Sequence, residues 1–454
     1  TGREICQRAG IKAMLGGTIA NLGSRYAITL EAVNAGTGNV LARAEAQAAK
    51  KEDVLNALHR ADSQLRGKLG ESLASVQKYD MMLSQATTPS LEALNAFTQG
   101  DYKHAAGDEM GAIPFYQRAI ELDPNFATAY ARLGTVYGNL GQSVVSEENR
   151  KKAFELRDRA SEREKLYIMS HYYADSGQYD KGITALELYE QTYPRDATPA
   201  NNLANLYNML GQFVSALDKS RKAVQLEPDS ISGYENLAIA YAGLGRMDEA
   251  KATARDALKR APKNTGLHAM LAGIAWNQND AATLEAELNA TENAGSEGRL
   301  TALNLRAALA AGHGQFRQLR ALTQRVQDTA TQIKLQEAAA AAEAQRAIWE
   351  ALAGLRPSAT EAASRALKSD PPTNVSLNAA MALALVRQDD RALKIADEQA
   401  LLRPFDTLVQ FVTIPSIKAV VAREGWLTWR RTKERRRRKS FRERSVPEAS
   451  IAIR

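Results

Sequence analysis

The sequence predicts a mainly α-helical chain, an α-solenoid preceded by a small α/β domain, and three observations carry that expectation. Between Ser161 and Pro262, Tyr173, Tyr207 and Tyr241 recur every 34 positions, as do Gly177, Gly211 and Gly245, and Pro194, Pro228 and Pro262. Within one period the apolar residues Leu203, Leu206, Tyr207 and Leu210 fall at i, i+3, i+4 and i+7, the stripe of an amphipathic helix. Residues 13–48, by contrast, alternate or run apolar with β-branched side chains, as strands do. At 454 residues, with 44% hydrophobic and 24% charged content and 13 prolines, the chain has the composition of a foldable protein rather than a disordered one.

Element by element, Arg3 to Ala9 reads as a helix, Ala13 to Asn21 and Tyr26 to Val33 as strands, and Asn34 to Asn39 as a turn before a third strand, Val40 to Ala48. A helix follows, with Val54, Leu55, Leu58, Leu65, Leu69 and Leu73 on one face. This small α/β domain is expected over residues 1–80; its sheet is incomplete by itself, so the sequence is expected to be a piece of a longer chain.

In the repeats, Gly211 sits where the first helix must turn, because glycine takes a positive φ without steric cost. A second helix runs from Phe213 through Ala216, Leu217, Ser220, Ala223 and Val224 and stops before Glu227-Pro228, since proline cannot continue a helix interior. Each period is therefore a helical hairpin, and the small residues Ala204, Ala216 and Ala223 let its two helices approach closely. A unit from Tyr130 reaches Tyr173 two residues late, which places an insertion near Asp158; Leu91 to Tyr102 with Ala112, Tyr116 and Ala119 forms an earlier unit. Beyond Pro262, Asn279-Asp280 replaces the turn glycine, and Ala379 to Pro404 reads as a poorer pair. The expected divisions are a repeat array over 88–293, divergent helical repeats over 294–422 and a basic tail over 423–454.

The pattern Leu203-Ala204, Tyr207, Gly211, Ala216, Ala223, Pro228 resembles the tetratricopeptide repeat, and the unit at Leu237, Ala238, Tyr241, Gly245, Ala250, Ala257 and Pro262 is similar to it as well. That resemblance implies a right-handed solenoid with a concave groove that binds a protein or peptide. Arg3 to Arg8, Leu30 to Asn34 with Thr37-Gly38, Leu65 to Leu73 and Ala119 to Asn125 further resemble the C-terminal, non-kinase region of bacterial eukaryotic-like serine/threonine protein kinases that end in such repeats. The wider resemblance implies a kinase domain and a membrane helix upstream, and a location outside the cytoplasmic membrane for this region. A stand-alone adaptor is the alternative.

Catalytic signatures are missing. There is no Gly-x-x-x-x-Gly-Lys-Ser/Thr, His-Glu-x-x-His or Gly-x-Ser-x-Gly. His59-Arg60-Ala61-Asp62 has an alanine where a kinase catalytic loop does not, and Ser75-Val76-Gln77-Lys78 lacks the Lys-Thr-Gly that accompanies Ser-x-x-Lys. The single cysteine, Cys6, excludes an internal disulfide, and the five histidines are too dispersed for a metal pair. No enzyme activity, metal or cofactor is expected of this chain, and no apolar stretch approaches the roughly 18 residues of a membrane helix.

Binding is the better-supported class. By the resemblance, positions 5, 9 and 12 of each first helix line the groove: Tyr167, His171 and Ala174, then Asn201, Asn205 and Asn208, then Glu235, Ile239 and Ala242. Asn202 and Asn236 occupy position 6, and the preceding repeat offers Arg132, Thr135 and Asn139 nearby. Asparagine both donates to and accepts from a peptide backbone, which suits an extended peptide ligand.

The net charge of +7 has a single origin. Residues 423–454 hold 12 Lys+Arg against 4 Asp+Glu, which leaves the remainder near neutrality. The tail, with Trp426 and Trp429 before its arginine run, is read in three ways: a frame-shifted terminus, a solvated disordered end, or a binder of nucleic acid or anionic lipid.

Overall fold

A computed structural model describes residues 12–71, 88–368 and 371–423. The helix expected over Arg3 to Ala9, the Ser75 to Lys78 motif, Leu73 and the tail from 424 onwards lie outside the described residues. The chain divides into two units, residues 1–302 and 303–454.

The first unit begins with an antiparallel meander of β1 (Ala13–Leu22), β2 (Arg25–Asn34) and β3 (Val40–Ala48), in the order β1-β2-β3. Its turn is set by Asn34, whose Oδ1 accepts the N–H groups of Gly36 and Thr37 at 2.9 Å each. Helix α1 (Val54–Lys68) packs Val54, Ala57, Ala61 and Leu65 onto Ile28, Ala32, Ala44 and Ala48. It covers β2 and β3, so Leu15 and Ile19 of β1 stay exposed.

Six helical hairpins follow. They are α2 (Leu91–Ala105) with α3 (Glu109–Leu122), α4 (Ala127–Asn139) with α5 (Ser143–Leu156), and α6 (Glu162–Asp175) with α7 (Tyr179–Thr192). Next come α8 (Ala197–Met209) with α9 (Phe213–Leu226), α10 (Ile231–Gly243) with α11 (Met247–Leu258), and α12 (Thr265–Asn277) with α13 (Ala281–Glu292). The turn inside each of the first five hairpins is made by a glycine at positive φ, as at Gly211 (+71°) and Gly245 (+73°). In the sixth, Asn279 takes the same conformation at +55°, the one ordinary substitution for glycine there. The insertion inferred near Asp158 is a single 3₁₀ turn, Arg157–Arg159, after α5. Ser161 then starts α6 with a capping box, its side chain and that of Glu164 each accepting the other's backbone N–H.

Periodic alanines explain the close stacking. Ala204, Ala216, Ala223, Ala238, Ala250 and Ala257 are at most 1% exposed, because a larger side chain would hold neighbouring helices apart.

Helix α14 (Ser296–Gly312) contains the division between the units. The second unit comprises α15 (Phe316–Gln332), α16 (Gln336–Leu352), α17 (Arg356–Ala366), α18 (Thr373–Leu385) and α19 (Asp389–Leu402), around an alanine-rich core that includes Ala347, Ala362, Leu383 and Ile417. The poorer pair expected from Ala379 is α18 with α19; α18 starts earlier, at Thr373. Among the described residues no helix is long and apolar enough to cross a membrane.

Candidate functional site

The expected groove residues lie on the first helices α4, α6, α8 and α10 of successive hairpins. What joins them is a chain of polar contacts from the first hairpin to the fifth. It starts where Tyr116 donates its hydroxyl to Asp101 Oδ1 at 2.7 Å. Asp101 also faces Arg132 Nε at 3.4 Å, and Arg132 donates from Nη1 to the Tyr167 hydroxyl at 3.1 Å while its guanidinium lies 4.7 Å from that ring's centre. Thr135 Oγ1 shares the same hydroxyl at 3.1 Å. The Tyr167 ring packs on His171 with centroids 4.3 Å apart, and His171 Nε2 lies 3.2 Å from Asn202 Nδ2. With Asn202 donating, the imidazole proton sits on Nδ1.

The asparagines continue the chain. Asn236 donates to Asn201 Oδ1 at 3.0 Å, and Asn208 donates to the Asn236 carbonyl at 3.0 Å. Asn208 Oδ1 is then buried with no protein partner. Tyr167 (6% exposed) and Asn236 (7%) are thus interior links between repeats, whereas Asn205, Asn139 and Ile239 are exposed. Asn139 donates to Glu109 Oε1 at 2.8 Å, and Glu235 is half-buried beside Gly266.

Burial sets the electrostatics. His171 is held neutral, its pKa pushed well below the ordinary 6.5 by desolvation first and then by the charges of Arg150 and Arg132. Desolvation likewise pushes the Arg150 guanidinium down to about 10 and raises the Tyr116 phenol. The carboxyls of Glu235 and Glu297 are raised, first by burial and then by the nearby charge of Glu109.

Several members escape sequence reading. Arg150 of α5 stands where other hairpins carry the small Ser220 and Ala254, and it pairs with Asp175. Gly134 and Gly138 of α4 make room for it: a Cβ at Gly134 would meet Arg150 Cγ at 2.6 Å. That pairing of two glycines with a misplaced arginine was the available signal. Asp101, His104 and Tyr116 come from the first hairpin, ahead of the regular 34-residue period of Ser161 to Pro262. Among the described residues, no group of three His, Cys, Asp or Glu is placed to hold a metal ion.

Comparison with known proteins agrees with this geometry. Residues 100–141 match a family model described as TPR repeat, and residues 209–274 one described as tetratricopeptide repeat. The chain is 26% identical over 168 residues to a TPR repeat-containing protein of Methanocaldococcus jannaschii, covering 36% of this chain and 30% of that protein. It is 27% identical over 130 residues to the Hsp70-Hsp90 organising protein of Plasmodium falciparum, covering 28% of this chain and 51% of the relative. A thermophilic TPR protein from Thermus thermophilus superimposes with a TM-score of 0.34 at 25% identity, over 40% of this chain and 99% of the other. The chain thus spans well under two thirds of the length of either curated relative, and what it shares with them is the helical hairpin. With its 34-residue period, glycine turns and buried alanines, the chain carries tetratricopeptide repeats, matched over residues 100–141 and 209–274.

Proposed function

We propose that this protein is a non-catalytic interaction module that holds an extended peptide segment of a protein partner against the first-helix face of hairpins two to five. Tetratricopeptide-repeat proteins mediate protein–protein interaction, and one relative is named for organising Hsp70 with Hsp90. The observation that carries the reading is the asparagine set on successive first helices: Asn208 donates to the Asn236 carbonyl and Asn236 to Asn201 Oδ1, which fixes the face on which Asn205 stays exposed. The exposed Asn205 lies three residues before Asn208, and the neutral His171 offers its Nδ1–H on the same face. Arg132, Thr135, Asn139 and Ile239 border the same surface, and Tyr167, Asn201, Glu235 and Asn236 support it.

The wider setting we propose is the sensory or regulatory part of a bacterial serine/threonine-kinase-like protein, supported by the resemblance at residues 3–8, 30–38 and 65–73. An upstream reading frame encoding no kinase domain would remove that setting and leave a stand-alone adaptor.

Peptides selected on the full chain from a phage-displayed random library test the groove. Replacing Asn201, Asn205 and Asn208 together with alanine should weaken their binding by about tenfold or more, the signature of a central contact cluster. Unchanged affinity with a native circular dichroism spectrum would overturn the assignment.

A further inference from the structure

In a stacked array each hairpin touches its neighbours, and those nearest-neighbour contacts account for its stability. One contact in the first unit departs from that rule. Met110, in the first turn of α3, donates its backbone N–H to Glu297 Oε1 at 3.1 Å across 187 positions. Glu297 lies in the first turn of α14, so the array returns to its own first hairpin there.

The Met110 end of this contact is weakly held. An N–H in the first turn of a helix has no intrahelical acceptor, so Glu297 is what occupies it. Pro114, inside α3 and four residues further on, has no N–H to give the Met110 carbonyl, which leaves that turn one hydrogen bond short.

Like charges surround the other end. Asp108 and Glu109 stand at the start of α3 and Glu235 on α10, and the charge of Glu109 acts on both Glu235 and Glu297. The facing basic side chains are already engaged: Lys103 Nζ is 3.0 Å from Asp108 Oδ2, and His104 Nδ1 is 2.8 Å from Glu109 Oε2. On α14 itself the nearest basic side chain in sequence, Arg299, is exposed. From α12, the residue packed beside Gly298 is the neutral Thr265.

We infer that the Glu297–Met110 contact is a latch that closes the first unit over its peptide groove, and that burial of the Glu297 charge beside Asp108 and Glu109 loads it to open. The inference rests on the groove reading for its regulatory meaning, though not for its existence. The contact combines a hydrogen bond that closes with the burial of a carboxylate among like charges that opens, so the balance moves with the charge on Glu297. Burial first, and then the charges of Glu109 and Asp108, raise the Glu297 carboxyl above its ordinary value when closed, against the smaller opposing effect of the Met110 N–H. Protonation therefore favours closure, and that stabilisation is lost as pH rises through the raised pKa.

Hydrogen exchange at the Met110 amide of the full chain reads the latch without any ligand. After correction for the intrinsic rate, protection at Met110 should fall as pH rises from about 4.5 towards neutrality. Glu297→Gln keeps an acceptor without the charge, and its protection should be at least that of the parent and flat across pH. Glu297→Ala should lose about fivefold protection, the worth of one net hydrogen bond. Unchanged protection in Glu297→Ala, or equal losses in both variants, would overturn the latch. The same phage-selected peptides then test gating: Glu297→Ala should bind them about fivefold more tightly, and equal affinity would overturn the gating. Should the asparagine variants bind those peptides normally while Met110 exchange responds as stated, the groove reading fails and the latch stands.

Discussion

Glu343 and Arg346, one turn apart on α16, pair at 2.7 Å with side chains only 6% and 4% exposed. Around them Gln327, Arg365, Glu350, Arg320 and Ser358 complete a network that runs from a fully enclosed Glu350 out to the partly exposed Arg320 and Arg365. Each charge there survives burial because the others satisfy it. Arg346→Ala should therefore destabilise the second unit by about 1–3 kcal/mol, since it takes the buried cation from Glu343 and Glu350 and leaves them only Arg365, Gln327, Arg320 and Ser358. Replacing Glu343, Arg346 and Glu350 together by apolar residues of similar volume should cost much less. Urea titrations of the three proteins check this, and equal losses in both variants would refute the argument.

At Gly134 the added Cβ would lie 2.6 Å from Arg150 Cγ and 3.1 Å from the Ser146 carbonyl, a clash that a buried side chain and a backbone atom cannot easily relieve. Gly134→Ala should cost about 1–3 kcal/mol of the first unit's stability. Adding Arg150→Ala should recover less than the full loss, because Asp175 then loses its partner. A double-mutant cycle by thermal denaturation measures the coupling.

His171 gives the first unit a pH signature. Its native pKa lies well below the unfolded value of 6.5, so the unfolded chain binds a proton that the native state refuses. Stability from this group is complete above 6.5 and falls by about 1.4 kcal/mol per pH unit below it, down to the native pKa. In His171→Gln that component should vanish. Parallel pH-stability curves for parent and variant would show that His171 is not held neutral.

Lys334, exposed in the turn after α15, has φ +62°, a conformation that costs an ordinary residue about 1–2 kcal/mol. Lys334→Gly should stabilise the second unit by roughly 0.5–1 kcal/mol, the strain relieved less the greater freedom of unfolded glycine. A lower melting temperature in the variant would contradict this.

The hairpins were legible because their signals are local. Gly177, Gly211 and Gly245 announce the positive φ of their turns, and Ala216 and Ala250 the close approach of their helices, each through its own stereochemistry. The three strands follow in the same way from alternation and the Asn34 turn. The candidate surface was legible only in part. Position in the period brought Asn201, Asn205 and Asn208 to one face, but their division into linked and exposed groups depends on which neighbour each reaches.

Periodicity by itself determined that this protein is a stack of helical hairpins, since repeat length, turn glycines and small core residues are properties of single units. Tertiary structure alone decided that Arg150 threads beneath two glycines to Asp175, that Glu343 and Arg346 are buried together, and that Glu297 meets Met110. Those relationships join residues whose separation depends on the accumulated path of the array. A small rotation at each repeat interface adds up over many repeats, and no single period contains it.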